Sequence, residues 1–183
     1  VPVFAVLSLD AQCHGHRIAQ SDFAAANRCV AEAAGAKPRK GYFTLPGIYI
    51  QTTRDYRRAI DYLATRADID TGRIGVVGYS MGGTQTYLLT GVEPRIKAAV
   101  AIAAPAERSV WSPVAPQNFI RAIGIRPFLS IMGRDDRMCP VQHAKARYAA
   151  LESESKRQVF LDAGHRLPVD YVPHAVAWIK KHL

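Results

Sequence analysis

The chain has 183 residues, 49% hydrophobic and 21% charged, with 13 Gly and 11 Pro; this fits one globular domain over 1–183 and excludes disorder, collagen and coiled coil. At this size roughly 70% of the unfolded surface can be buried, so a core forms without disulfides or structural metals. The formal charge of +9 comes from 24 Lys and Arg against 15 Asp and Glu, scattered as singles and pairs such as Arg57-Arg58 and Lys180-Lys181, which argues against a nucleic-acid partner.

No apolar run approaches the ~18 residues of a membrane span, and Val1 to Leu9 lacks the basic start and cleavage site of a signal peptide. A soluble, cytoplasmic protein with no membrane partner is expected. Cys13, Cys29 and Cys139 are an odd set at unrelated spacings, not a secreted disulfide framework, although one disulfide among the three is compatible with the count. The chain begins at Val, directly in strand-like sequence, so a missing N-terminal segment is already an expectation to weigh.

Val3 to Leu9 (VFAVLSL) is a nearly continuous β-rich apolar run, the pattern of a strand buried on both faces. An Ala-rich stretch from Ser21 to Ala34 reads as a helix, and Gly35 to Gly47 is broken by two prolines and three glycines. Between Thr53 and Ala67, the apolar residues Tyr56, Ala59, Ile60, Leu63, Ala64 and Ala67 fall on one helical face, with Thr52 or Thr53 as cap. The turn Asp68 to Gly72 leads into a strand at Arg73 to Val77, and Met81 to Thr90 reads as a helix stopped by Gly91. Then follow a strand at Ile96 to Ala103, a Trp- and Pro-containing loop at Ser109 to Asn118, and a strand at Pro127 to Met132. A helix at Val141 to Leu151, a strand at Gln158 to Leu161 and a closing helix at Tyr171 to His182 complete the chain. This alternation means parallel βαβ units in an α/β fold, with ligands bound beyond the carboxyl ends of the strands.

Gly78-Tyr79-Ser80-Met81-Gly82-Gly83 stands at such an end. A bare Gly-x-Ser-x-Gly arises by chance in about 4% of chains of this length, and the form with Gly83 in roughly 0.3%. Position adds more: a serine on a sharp strand-to-helix turn needs small neighbours, which Gly78 and Gly82 supply, and the Met81 N–H at the helix start can donate to an oxyanion. The bland reading is a glycine-rich or phosphate-binding turn that happens to hold a serine. A serine nucleophile needs a histidine base and a carboxylate to orient it. Asp135 and Asp136 follow the strand ending at Met132, and His165 follows the last strand. The order Ser80, Asp136, His165 is that of the α/β-hydrolases.

These stretches resemble the central and C-terminal part of an α/β-hydrolase, similar to the dienelactone hydrolase and acetyl xylan esterase-like serine esterases. The resemblance is carried by Leu9-Asp10 with His14 to Arg17, by Arg54-Asp55 through Leu63, by Ile69 to Gly83, and by Gly133 to Pro140. It implies Asp136 as the acid rather than Asp135, since relatives place the acid three residues after the glycine and four before the proline. It differs from dienelactone hydrolases proper in having Ser80 where those use cysteine, and it implies a mainly parallel sheet of about five strands where the family has eight. The family's third strand would belong between Val3–Leu9 and Arg73–Val77. Either those two pair directly, or a partner chain, such as a second copy in a homo-oligomer, or a missing segment fills the gap.

Cys13-His14-Gly15-His16 lacks a second Cys/His pair to complete a metal site, so no metal is expected. The resemblance places it after the family's fourth strand, at the mouth of the site, with a minority reading of His14-Gly15 as the oxyanion loop. Tyr79, His14 and Trp111 are expected at a substrate pocket, with 104–120 as a small cap or pocket loop. The expected activity is hydrolysis of short-chain carboxylic esters of small molecules through an acyl-enzyme, with no cofactor. The alternatives are a prolyl-oligopeptidase-like serine peptidase, and an impaired module that acts by binding because the family's second oxyanion donor is not found in the chain.

Overall fold

The computed structural model describes residues 4–17, 45–107 and 111–183. The helix expected at Ser21 to Ala34, the whole environment of Cys29 and most of the connection at Gly35 to Gly47 lie outside the described residues.

Four strands, β1 (Ile74–Tyr79), β2 (Ile96–Ile102), β3 (Phe128–Gly133) and β4 (Lys156–Leu161), form a parallel sheet in the order β1-β2-β3-β4. The helices are α1 (Leu45–Leu63), α2 (Met81–Val92), the short α3 (Ile120–Ile123), α4 (Val141–Ala149) and α5 (Tyr171–His182). Strand alternation divides β2 between two cores. Ala99 and Ala101 pack with Tyr87 and Leu88 of α2 and with Phe128, while Val100 and Ile102 pack with Leu129, Ile131 and the α5 residues Ala175 and Trp178. A strand covered on both faces has no polar side to show, which is why Ile96–Ile102 carries an almost continuous apolar sequence. Burying such side chains contributes roughly 1.5–3 kcal/mol for each large one.

Two expectations are corrected. The described part of the first apolar run, Phe4 to Leu9, is not a strand: its backbone joins no ladder, and Val6 is 90% exposed. Pattern alone cannot make a strand, because the backbone N–H and C=O groups need a neighbouring edge. On one side β1 bonds to β2, and on the other to no described strand, so the described sheet has four strands and not five. At the end of this run Leu9 meets α1 instead, where Leu9 N donates to the Tyr56 hydroxyl at 3.4 Å.

The second correction concerns α1, which spans Leu45–Leu63 rather than Thr53 to Ala67. Pro46 sits in its first turn, where the missing N–H has no intrahelical acceptor to lose. Thr52 and Thr53 are therefore buried inside the helix rather than capping it; the Thr53 hydroxyl lies 2.9 Å from Tyr49 O and 2.8 Å from Gln85 Oε1 of α2.

Candidate active site

Ser80 stands between β1 and α2 with φ 54° and ψ −111°, a left-handed backbone conformation that costs a non-glycine residue about 1–3 kcal/mol. The surroundings impose it. Ser80 N donates to Ile102 O of β2 at 2.8 Å, and Ser80 O accepts from Thr84 N of α2 at 3.1 Å. The closeness of strand and helix falls on Gly78, where a Cβ would lie 2.0 Å from Gly82 O, and on Gly83, where it would lie 2.7 Å from Ile102 O. A Cβ on Gly82 would meet nothing within 4 Å, so the room expected of both Gly78 and Gly82 is required at Gly78 and Gly83 instead.

The turn aims the Ser80 hydroxyl at His165, with Oγ 2.8 Å from Nε2. On the other side of the ring, Nδ1 is 2.9 Å from Asp136 Oδ2. An Nδ1–H donated to the carboxylate leaves the Nε2 lone pair facing the serine hydroxyl, the tautomer a general base needs. The Asp136 side chain is fully buried and its other oxygen accepts from Met138 N at 2.8 Å, whereas Asp135 is exposed and braces the histidine loop through its backbone N–H, donated to Ala163 O at 3.0 Å. Met81 opens α2, so its N–H has no intrahelical acceptor and lies beside Ser80.

A cavity of about 290 Å³ opens beside Ser80. Leu45, Ile48, Met81, Val114, Pro116 and Met138 supply apolar wall, and His14, Tyr49, Thr84 and Glu107 add polar groups. His14 is thus at the cavity, with Nδ1 2.8 Å from Gln12 O. Asp10 organises this turn: the His16 backbone N–H, donated at 2.7 Å, and then the His16 ring hold its carboxyl below the usual range. The other two expected pocket residues are elsewhere. Trp111 is 91% exposed and outside the cavity wall. Tyr79 faces the α5 side of the sheet, because the alternation that turns Gly78 toward α2 turns its neighbour away, and its ring packs 5.5 Å from that of Tyr171.

Two features of the cavity were not anticipated from sequence. Leu45, Ile48 and Tyr49 come from the start of α1, ahead of the helix expected from Thr53, with Leu45 inside the stretch Gly35 to Gly47 that reads as broken; the signal was the four-residue spacing Ile48, Thr52, Tyr56, Ile60 continued backwards to a proline fit for a helix start. Burial pushes the Tyr49 hydroxyl above its ordinary pKa, so it stays a neutral hydrogen-bonding group at the wall. The loop after β2 is held by Arg147 of α4, a buried guanidinium that donates to Ala104 O at 2.7 Å and Pro105 O at 3.0 Å and contacts Cys139 Sγ at 2.8 Å. Burial raises the pKa of that thiol and so favours its neutral form.

Comparison with known proteins agrees with this architecture. The PETase (PET hydrolase-like) family model matches residues 51–183. Cutinase 2 of Thermobifida cellulosilytica is 32% identical over 144 residues, 70% of this chain and 50% of that protein. A bis(hydroxyethyl) terephthalate hydrolase of Streptomyces coelicolor is 28% identical over 142 residues, 71% of this chain and 42% of that protein. Among solved structures, an acetyl xylan esterase from Paenibacillus sp. R4 superposes with TM-score 0.65 at 22% identity over 75% of this chain and 55% of that one, a likeness of fold. The chain spans half or less of the length of such curated relatives.

Proposed function

This chain belongs to the PET hydrolase-like family of the α/β-hydrolases, and from that premise we propose that it is a serine carboxylesterase acting through an acyl-enzyme on Ser80. The observation that carries the reading is the hydrogen-bonded series from the Ser80 hydroxyl to His165, at 2.8 Å, and from His165 to the buried Asp136, at 2.9 Å.

In the first half-reaction, Ser80 Oγ attacks the ester carbonyl while His165 Nε2 takes its proton, and Asp136 stabilises the imidazolium. The carbonyl oxygen becomes an oxyanion and accepts from Met81 N–H, an interaction that strengthens as charge develops. The imidazolium returns the proton to the departing alcohol. Water then attacks the acyl-enzyme with His165 again as base, releasing the acid and regenerating Ser80.

The cavity beside Ser80 is small and mostly apolar, which supports short or compact acyl groups over long chains. Since relatives are named cutinases and a bis(hydroxyethyl) terephthalate hydrolase, small esters released from polyesters are the proposed substrate class. A p-nitrophenyl ester chain-length series, with bis(hydroxyethyl) terephthalate beside it, tests this. Activity is expected to peak at short acyl chains, and Ser80→Ala to lower kcat by about 10⁴-fold or more and to block fluorophosphonate labelling. Full activity in Ser80→Ala would refute the mechanism.

A further inference from the structure

We propose that Tyr79 is a positioning residue for His165, fixing the base relative to the nucleophile through its phenolic hydroxyl. The inference rests on the reading of Ser80 as nucleophile and His165 as base.

The hydroxyl donates to His165 O at 2.7 Å and accepts from Leu167 N at 2.7 Å. It thereby bridges two backbone groups two residues apart in the connection from β4 to α5, where residues 162–170 adopt no helix or strand. The backbone bonds in this connection lie to either side: Ala163 N donates to Leu161 O, Ala163 O accepts from Asp135 N, and Tyr171 N donates to Pro168 O. Across His165 itself, the Tyr79 hydroxyl ties the main chain, at His165 O and Leu167 N, to the end of β1. Its ring meets the His165 ring edge-on, with centroids 6.3 Å apart and planes at 69°, and lies 5.5 Å from the ring of Tyr171.

Residue type follows from this double role. A hydroxyl both donates and accepts at one atom, which phenylalanine cannot do at all and an indole N–H can do only as donor. Tyr79 is also covalently next to Ser80, as the last residue of β1, which pairs with β2 from Ile74 to Tyr79. The hydroxyl therefore ties the main chain of the base to the strand that carries the nucleophile, alongside the Ser80 Oγ to His165 Nε2 separation of 2.8 Å. Misplacement of a reacting group by about 1 Å can cost on the order of 100-fold in rate.

The experiment is steady-state hydrolysis of p-nitrophenyl acetate by the full chain, with functional sites counted by exhaustive fluorophosphonate labelling so that unfolded protein does not enter kcat. Tyr79→Phe, which keeps the ring, is expected to lower kcat per site by about 10- to 100-fold while KM changes less than about twofold. A kcat per site within threefold of the parent would overturn the proposal. So would a raised KM at unchanged kcat, which would make Tyr79 a substrate contact. Replacement by p-aminophenylalanine keeps the donor to His165 and loses most of the acceptor strength toward Leu167, so its kcat should fall between the two. That variant decides if Tyr79→Phe does not fold, parent-level kcat overturning the proposal. Ser80→Ala is run alongside: if it retains the parental rate, the underlying reading fails, an outcome distinct from any result at Tyr79.

Discussion

Gly133, the last residue of β3, lies so close to Gly164 that a Cβ placed on it would meet the Gly164 carbonyl oxygen at 2.2 Å and the Ala163 carbonyl oxygen at 2.4 Å. The strand leading to Asp136 and the loop carrying His165 thus touch backbone to backbone, reinforced by Asp135 N donating to Ala163 O at 3.0 Å and Arg134 N donating to Leu161 O at 2.9 Å. Gly133→Ala must push the histidine loop away. The expected result is a fall in kcat of about 100-fold with a destabilisation of about 1–3 kcal/mol. Kinetics and a thermal melt of the same sample check both, and an alanine variant with parental kcat would show that the loop yields freely.

The elbow glycines should separate sharply. Gly78→Ala sets a Cβ 2.0 Å from Gly82 O and 2.7 Å from Thr86 Oγ1, so loss of most folded protein or of labelling at Ser80 is expected. Gly82→Ala meets nothing within 4 Å, and replacing a helical glycine by alanine stabilises by roughly 0.5–1 kcal/mol. Gly82→Ala should therefore melt at or above the parental temperature, and equal damage from both substitutions would contradict the packing described.

Asp136 and Asp135 are adjacent in sequence and divergent in setting. In the proposed mechanism Asp136→Asn removes the charge that stabilises a His165 imidazolium, and it is expected to lower kcat by about 10³- to 10⁴-fold with KM little changed. Asp135→Asn leaves its backbone N–H bond to Ala163 intact and should keep kcat within about threefold. Reversal of these two results would move the acid to Asp135.

Acid stability should carry the mark of Glu93. Its side chain is 1% exposed and receives Arg95 Nε at 2.7 Å and Arg57 Nε at 3.3 Å. The Arg95 hydrogen bonds, above all, hold its carboxyl down to about 2 from an ordinary 4.5, against the opposing effect of burial. Because the folded value is depressed, the stabilisation is fully present above about pH 4.5 and is lost as pH falls through about 2, an amount of order 2–3 kcal/mol given that both arginines are partly solvated. Urea unfolding of the parent and Glu93→Gln should show a stability gap at pH 6 that closes toward pH 2. A gap constant across that range would mean that the carboxylate's ionisation is not what stabilises this corner.

The sequence by itself determined the parallel α/β alternation and the strand-end positions of Ser80, Asp136 and His165, because turn chemistry and hydrophobic period are local properties. A glycine-flanked serine directly after an apolar run, or a histidine after the last run, is visible without knowing what lies across the sheet. Tertiary structure decided everything that depends on a neighbour distant in the chain. Phe4 to Leu9 has strand composition, but a strand exists only beside another edge, and no described edge receives it. Tyr79 stands next to Ser80, yet strand alternation sends it to the α5 face, where its hydroxyl finds the His165 loop instead of the cavity. The choice of Gly78 and Gly83 over Gly82 as the crowded positions came from the crossing of α2 over β1 and β2, since steric need is set by the atoms that surround a residue and not by the residue itself.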